Sequence, residues 1–149
     1  MTSPSPVVEE VARRPLRDLT TPIDVADVPP APWKNGAGST RELATGPGWR
    51  LSLADLVAQA PFSFFPGQDR IHLPLEGGYT LVIDDVEHPA RALEPIAFPG
   101  EAAVVLRSLD RPTTALNLMT RRDQCRGALV VDGTTVAVHI HERTKENQP

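Results

Sequence analysis

From Trp49 the chain alternates, with apolar Trp49, Leu51 and Leu53 separated by Arg50, Ser52 and the small Ala54. A period of two is that of a strand with one face on a core, so the run predicts a half-buried strand over residues 49–54. Shorter apolar runs predict further strands at Arg70–Leu75, Tyr79–Ile83, Ala102–Leu106 and Thr113–Met119, with Gly, Pro and Asp clusters between them. The run Ala128–Val138 places Asp132-Gly133 between two β-rich arms. That dipeptide favours the positive φ angles of a two-residue turn and predicts a hairpin. Pro15–Thr20 reads as a first strand, and the prolines of residues 27–32 hold their predecessors extended. No internal repeat, heptad or convincing amphipathic helix interrupts this pattern. Short strands at such spacing predict a sandwich or barrel.

Composition sharpens that picture. The 149 residues are 40% hydrophobic but only 5% aromatic, so Val, Leu, Ile and Ala must fill the core, as suits packed sheets. A chain of this size buries roughly 68–70% of its unfolded surface, enough for one domain with a sizeable core. Sixteen prolines fragment the chain, since proline is excluded from helix interiors and central strands. Residues 1–12 are rich in Pro, Ser and Glu and read as a flexible N-terminal arm, residues 142–149 as a flexible polar tail, and residues 13–141 as the folded domain.

Charge and cysteine content narrow the function classes. A net charge of −4 gives no basic face for phosphate neutralisation, so nucleic acid is not the expected partner. No apolar stretch approaches the roughly 20 residues of a membrane span. One cysteine, Cys125, forms no internal disulfide, and the N-terminus lacks the pattern of a secretion signal, so a cytoplasmic location is expected.

Two segments carry most of the candidate chemistry. Residues 31–42 (APWKNGAGSTRE) combine Trp33 as a stacking face, Gly36 and Gly38 for close backbone approach, and donors from Lys34, Asn35, Thr40 and Arg41, with Glu42 beside them. An ordinary Asn-Gly turn beside a core tryptophan is the competing reading. Residues 61–71 (PFSFFPGQDRI) join Phe62, Phe64 and Phe65, expected in the core, to the pair Asp69-Arg70, expected at a pocket mouth or as a surface ion pair.

These blocks, read with Trp49–Ala54, Leu75–Gly77 and Asn117–Arg122, resemble in content and order the HutD/Ves family of cupin-like proteins, whose pattern runs PWKNGGG-T-RE, WR-S-A, FS-FPG-DR, LEG and NLM-RR. The resemblance covers about Ala31 to Arg122. It implies a mostly β, cupin-like (RmlC-like) β-barrel with a bicupin architecture. It further implies a protein serving histidine utilisation that binds a small catabolite such as a formylated glutamate, with no activity established. Two departures stand out. The family's triple glycine reads Gly36-Ala37-Gly38, which would be strained if Ala37 had positive φ. The chain also stops soon after the expected hairpin, predicting a shortened C-terminal half that is either a reduced cap or covered at its exposed edges by a second copy, and a homodimer is expected.

The ligand expected from these features is a small carboxylate metabolite, held by Trp33, Lys34, Asn35, Gly36, Thr40, Arg41, Glu42, Arg50, Ser52, Asp69, Arg70 and Glu76. No cofactor is expected. His72, His88, His139 and His141 do not reproduce the spacing of a cupin metal set. Cys125 and the serines lie in no nucleophile motif, so no catalytic residue is assigned. A metal-free isomerase or lyase using a carboxylate as acid or base, and a non-catalytic interaction protein, stay open as alternatives.

Overall fold

A computed structural model describes residues 7–14, 17–23, 29–133 and 135–143, with side chains from residue 29 onward. Every regular element among them is a strand. They are β1 (Val7–Arg14), β2 (Arg17–Ile23), β3 (Ala31–Pro32), β4 (Gly38–Gly46), β5 (Trp49–Leu56), β6 (Ala60–Pro61) and β7 (Gln68–Pro74). The second half adds β8 (Thr80–Ile83), β9 (Val86–Pro89), β10 (Ile96–Pro99), β11 (Val104–Arg107), β12 (Thr113–Arg121), β13 (Cys125–Asp132) and β14 (Thr135–Glu142). No helix among the described residues is long and apolar enough to cross a membrane.

The strands form a six-stranded sheet in the order β10-β7-β12-β5-β4-β3 and two four-stranded sheets, β6-β11-β8-β9 and β13-β14-β1-β2. The middle layer is the six-stranded sheet. One face meets β13 and β14 across Trp49, Leu51, Leu53, Leu73, Leu116 and Leu118, packed on Leu129, Val136, Val138 and Ile140. The other face meets β8 and β11 across Ala54, Leu56 and Ala115, packed on Leu81, Val104 and Leu106. Among the described residues these three sheets are not hydrogen-bonded into a closed barrel. The sandwich of the six-stranded sheet with β6-β11-β8-β9 is the cupin-like unit, and the expected second barrel is, among the described residues, a single sheet.

That three-layer arrangement corrects the reading of β5. Its polar positions do not face solvent, because the sheet is covered on both sides. Ser52 and Ala54 are as buried as Leu51 and Leu53. The alternation therefore separates two interiors rather than a core from water.

The strands expected over residues 70–75, 79–83, 102–106 and 113–119 correspond to β7, β8, β11 and β12. The C-terminal hairpin is present, with Asp132 paired to Thr135. Gly133, at φ 61, therefore takes the first corner, one residue later than the Asp-Gly reading places it. Residues 7–12, the end of the expected arm, belong to β1, which pairs in parallel with β14 from Val7↔Thr135 to Arg13↔His141. The rest of the arm, residues 1–6, the start of the expected Pro15–Thr20 strand, residues 15–16, part of the extended segment, residues 24–28, and residues 144–149 of the tail lie outside the described residues. Glu142, expected in that tail, ends β14 opposite Cys125.

Candidate functional site

The face of the six-stranded sheet that looks toward β8 and β11 carries an ordered set of polar side chains. Residues directly opposite one another on neighbouring strands share a face. Met119 pairs with Arg50 on one side and Arg70 on the other, and Asn117 pairs with Ser52 and His72. Two rows result: Arg50, Met119, Arg70, and next to it Ser52, Asn117, His72. A third row, Ala54, Ala115, Pro74, is apolar and leads into the core.

Over these rows lies a cavity of about 500 Å³, within the range of small-molecule sites. Its floor includes Arg50, Ser52, Ala54, Arg70, Asn117 and Met119, and its walls come from the two loops singled out by sequence. From residues 31–42 come Pro32, Trp33, Lys34, Asn35 and Thr40, and from residues 61–71 come Pro61, Phe62, Ser63 and Phe65. Among the described residues three cations line this space, and no carboxylate does.

The Trp33 loop is rigid by construction. Its ends close through the Trp33 amide donating to Gly38 O at 2.8 Å, and the Gly36 amide donates to Trp33 O at 3.1 Å. Gly36 takes the corner at φ 73, where a side chain would be strained. Asn35 Oδ1 accepts from the Ala37 amide at 2.9 Å. Ala37 is buried, and it is not among the positive-φ residues, so its methyl stands there without backbone strain. Gly38 has no room for a Cβ, which would strike Asp55 O and press on the Trp33 ring. The ring is then fixed at its other end, where Nε1 donates to Thr40 Oγ1 at 2.7 Å.

Arg70 is the electrostatic centre of the floor. It is 8% exposed, and its guanidinium carbon lies 5.4 Å from the centre of the Phe62 ring and 5.1 Å from those of Phe65 and Phe98. Nη1 donates to Ser63 O at 3.2 Å, while Nε is buried without a partner. Rings attract a cation but do not neutralise it. Burial, reinforced by the charge of Arg50, pushes the Arg70 guanidinium down to about 10, so it remains charged at neutral pH.

The neighbouring row is held from beneath. His72 is fully buried, with Nδ1 2.9 Å from Asn117 Oδ1 and Nε2 2.7 Å from the Tyr79 hydroxyl. Burial, which outweighs the Asn117 hydrogen bond, and then the Arg70 charge set the imidazole pKa at about 4, so it is neutral. Burial also pushes the Tyr79 hydroxyl up. Neutral His72 then donates from Nδ1 to Asn117 and accepts from Tyr79 at Nε2, which leaves no hydroxyl proton stranded.

Of the residues expected to bind ligand, the structure brings together Trp33, Lys34, Asn35, Thr40, Arg50, Ser52 and Arg70 at the cavity. It keeps five others away. Gly36 shapes the turn. Arg41 follows Thr40 on β4 and so points to the other face of the sheet, where Nε reaches Asp55 Oδ2 at 3.4 Å and Ser39 Oγ donates to the same oxygen at 2.9 Å. Glu42 and Glu76 are exposed and line no part of the cavity. Asp69 does not orient Arg70: it faces the opposite way and binds Arg122 at 2.9 Å.

Arg122 clamps the end of β12 to the loop before β7. Nη2 also binds Glu101 Oε1 at 2.8 Å, and Glu101 Oε2 accepts from the Gly67 amide at 2.9 Å. The Arg122 hydrogen bond, then that from Gly67, hold the Glu101 carboxyl down to about 2. Phe64, expected in the core, is 62% exposed, since it points away from the wall that Phe62 and Phe65 form. Phe62 and Phe65, expected in the core, and Asn117 and Met119 are functional candidates that the sequence reading missed, although Asn117 and Met119 alternate along β12 as Ser52 and Arg50 do along β5. Among the described residues no group of three His, Cys, Asp or Glu side chains is placed to hold a metal ion.

Comparison with known proteins gives the geometry a context. The HutD family model matches residues 25–146. Protein Ves of Citrobacter koseri is 34% identical over 121 residues, covering 75% of this chain and 63% of that protein. Among solved structures, a conserved protein of unknown function from Pseudomonas aeruginosa PAO1 has a TM-score of 0.67 at 42% identity, over 72% of this chain and 58% of that one. HutD of Pseudomonas fluorescens SBW25, solved in a formate condition, has a TM-score of 0.68 at 34% identity, over 74% and 66%. The chain thus spans less than two thirds of the length of these relatives. An RmlC-like cupin from Shewanella frigidimarina, with a TM-score of 0.55 at 9% identity over 64% of this chain and 86% of that one, shares the fold alone.

Proposed function

This chain belongs to the HutD family, and from that premise we propose that it is a binding protein for a small carboxylate metabolite rather than an enzyme. The observation that carries the reading is the charge of the cavity. Among the described residues Lys34, Arg50 and Arg70 line it without a single carboxylate, and Arg70 is buried among rings with Nε unpartnered. A buried cation without a counter-charge costs free energy that an incoming anion recovers. The planar guanidinium takes a carboxylate through charge-assisted hydrogen bonds, strengthened where water is excluded.

Trp33 and Phe62, with ring centres 6.4 Å apart at 79°, supply the apolar wall for the rest of such a ligand. A metabolite of histidine breakdown, of the kind of formylated glutamate, fits the charge and size and is the proposed physiological class. The experiment is a thermal-shift series across short-chain carboxylates, acyl amino acids and their uncharged amide counterparts. Stabilisation by acids and not by amides supports the reading, and equal response to both overturns it.

A further inference from the structure

Directly beside the cationic row lies a row that is neutral and points hydrogen-bond donors at the cavity. The arrangement follows from the layer beneath it. Asn117 Oδ1 is occupied by His72 Nδ1, and His72 Nε2 is occupied by the Tyr79 hydroxyl. The alternative, with the amide turned and the ring in its other tautomer, would leave the buried Tyr79 proton without an acceptor. Tyr79 therefore fixes the tautomer of His72, and His72 fixes the amide of Asn117. The Asn117 Nδ2 protons are left for the cavity that this residue lines, next to the Ser52 hydroxyl on the paired strand.

We infer that His72 and Tyr79 are positioning residues that hold Asn117 as a donor to a neutral oxygen of the ligand, a ketone, aldehyde or amide carbonyl, while its carboxylate sits at Arg50 and Arg70. The rows are two residues apart along each strand, about 7 Å at the rise of a β-strand. Hydrogen bonds reaching in from both rows bring the two oxygen groups to a separation spanned by a chain of about four to six carbons. A carboxylate has no cation in the Asn117 row to receive it, so a ligand with two acids, such as a formylated glutamate, would set both among Lys34, Arg50 and Arg70 and its formyl oxygen at Asn117, and an ammonium group meets only donors in that row. The inference rests on the carboxylate reading and adds to it what the far end of the ligand must be.

The test uses the full chain and three probes of one length: hexanoate, 5-oxohexanoate and 6-aminohexanoate, titrated by calorimetry. The ketone is expected to bind about fivefold tighter than hexanoate, the worth of one neutral hydrogen bond, and 6-aminohexanoate weakest. Asn117→Ala and, independently, Ser52→Ala should reduce the preference for ketone over alkane, read as the ratio of the two affinities within each variant. Tyr79→Phe frees the tautomer and should reduce the same ratio without touching the cavity, which a merely structural role for Tyr79 would not do. Equal binding of ketone and alkane by the unaltered protein, or a preference untouched by all three substitutions, overturns the inference and leaves the carboxylate reading standing. Failure of every probe to bind overturns both.

Discussion

Asp69 and Arg70 are consecutive residues on β7 whose charges never meet: the carboxylate is bound to Arg122 at 2.9 Å on one face of the sheet, and the guanidinium lies on the other face within 5.4 Å of the centres of three phenylalanine rings. Adjacent residues of a strand point to opposite sides, and here each side is a separate environment. The acid belongs to a structural clamp and the base to the cavity.

Arg70→Met should therefore raise the melting temperature of the ligand-free protein, because an uncompensated buried cation is replaced by an apolar chain of similar reach. The same substitution should abolish most of the ligand response. A carboxylate at about 100 times its dissociation constant adds roughly 2.7 kcal/mol, a rise of about 5–11 °C for a domain of this size. Arg41→Lys, on the face of Asp55, should leave that rise intact. Scanning fluorimetry of both variants with and without ligand decides the matter.

The buried imidazole makes stability depend on pH. His72 has a folded pKa of about 4 against an ordinary value of 6.5, so the unfolded chain binds the extra proton across that interval. Stability is complete above pH 6.5 and falls as pH drops toward 4, by about 3 kcal/mol over the whole window. Urea unfolding from pH 7.5 to 4.5 should show this slope, and His72→Gln should flatten it.

A second acid-sensitive group acts lower. Glu101, held near 2 against 4.5, contributes stability that is present above pH 4.5 and lost as pH falls toward 2. Glu101→Gln should remove only that lower leg, so acid unfolding curves of the two variants separate the contributions.

Gly38→Ala should cost about 1–3 kcal/mol, the usual penalty of forcing atoms into a packed site, because the new methyl strikes Asp55 O and the Trp33 ring. It should also weaken ligand binding by displacing Trp33. Gly36→Ala meets open space and carries only its strain at φ 73, about 1–2 kcal/mol. Chemical denaturation and ligand titration of the pair test the contrast.

The two tryptophans offer a direct optical check. Trp33 lines the cavity, whereas Trp49 packs in the core on the far side of the sheet. Ligand-induced fluorescence change is expected to survive Trp49→Phe and vanish in Trp33→Phe.

The chain displays its β character and its cavity walls openly. The alternation of Trp49–Ala54 and the aromatic and glycine residues of 31–42 and 61–71 are local signals, and each corresponds to an observed strand or wall. What local pattern cannot convey is which interior a face meets. By alternation alone Arg50 and Ser52, although named among the expected ligand residues, fall on the open face of a half-buried strand, because the strand's second cover comes from segments far along the chain. Arg41 and Arg70 look equivalent in sequence, yet β4 turns one toward Asp55 and β7 turns the other toward the cavity. The start of β4 hid inside a glycine-rich run, and β1 hid in a segment with too little apolar content to fold alone, because its partner is β14.

A sheet covered on both sides also divides the labour of its residues by parity. Along β5 and β12, Leu51, Leu53, Leu116 and Leu118 hold the layer of β13 and β14, while Arg50, Ser52, Asn117 and Met119 address the cavity. Ligand preference in this fold is thus free to drift through the second set while the first keeps the layers together. Relatives that differ at the cavity positions and agree at the leucines would share an architecture and recognise different molecules.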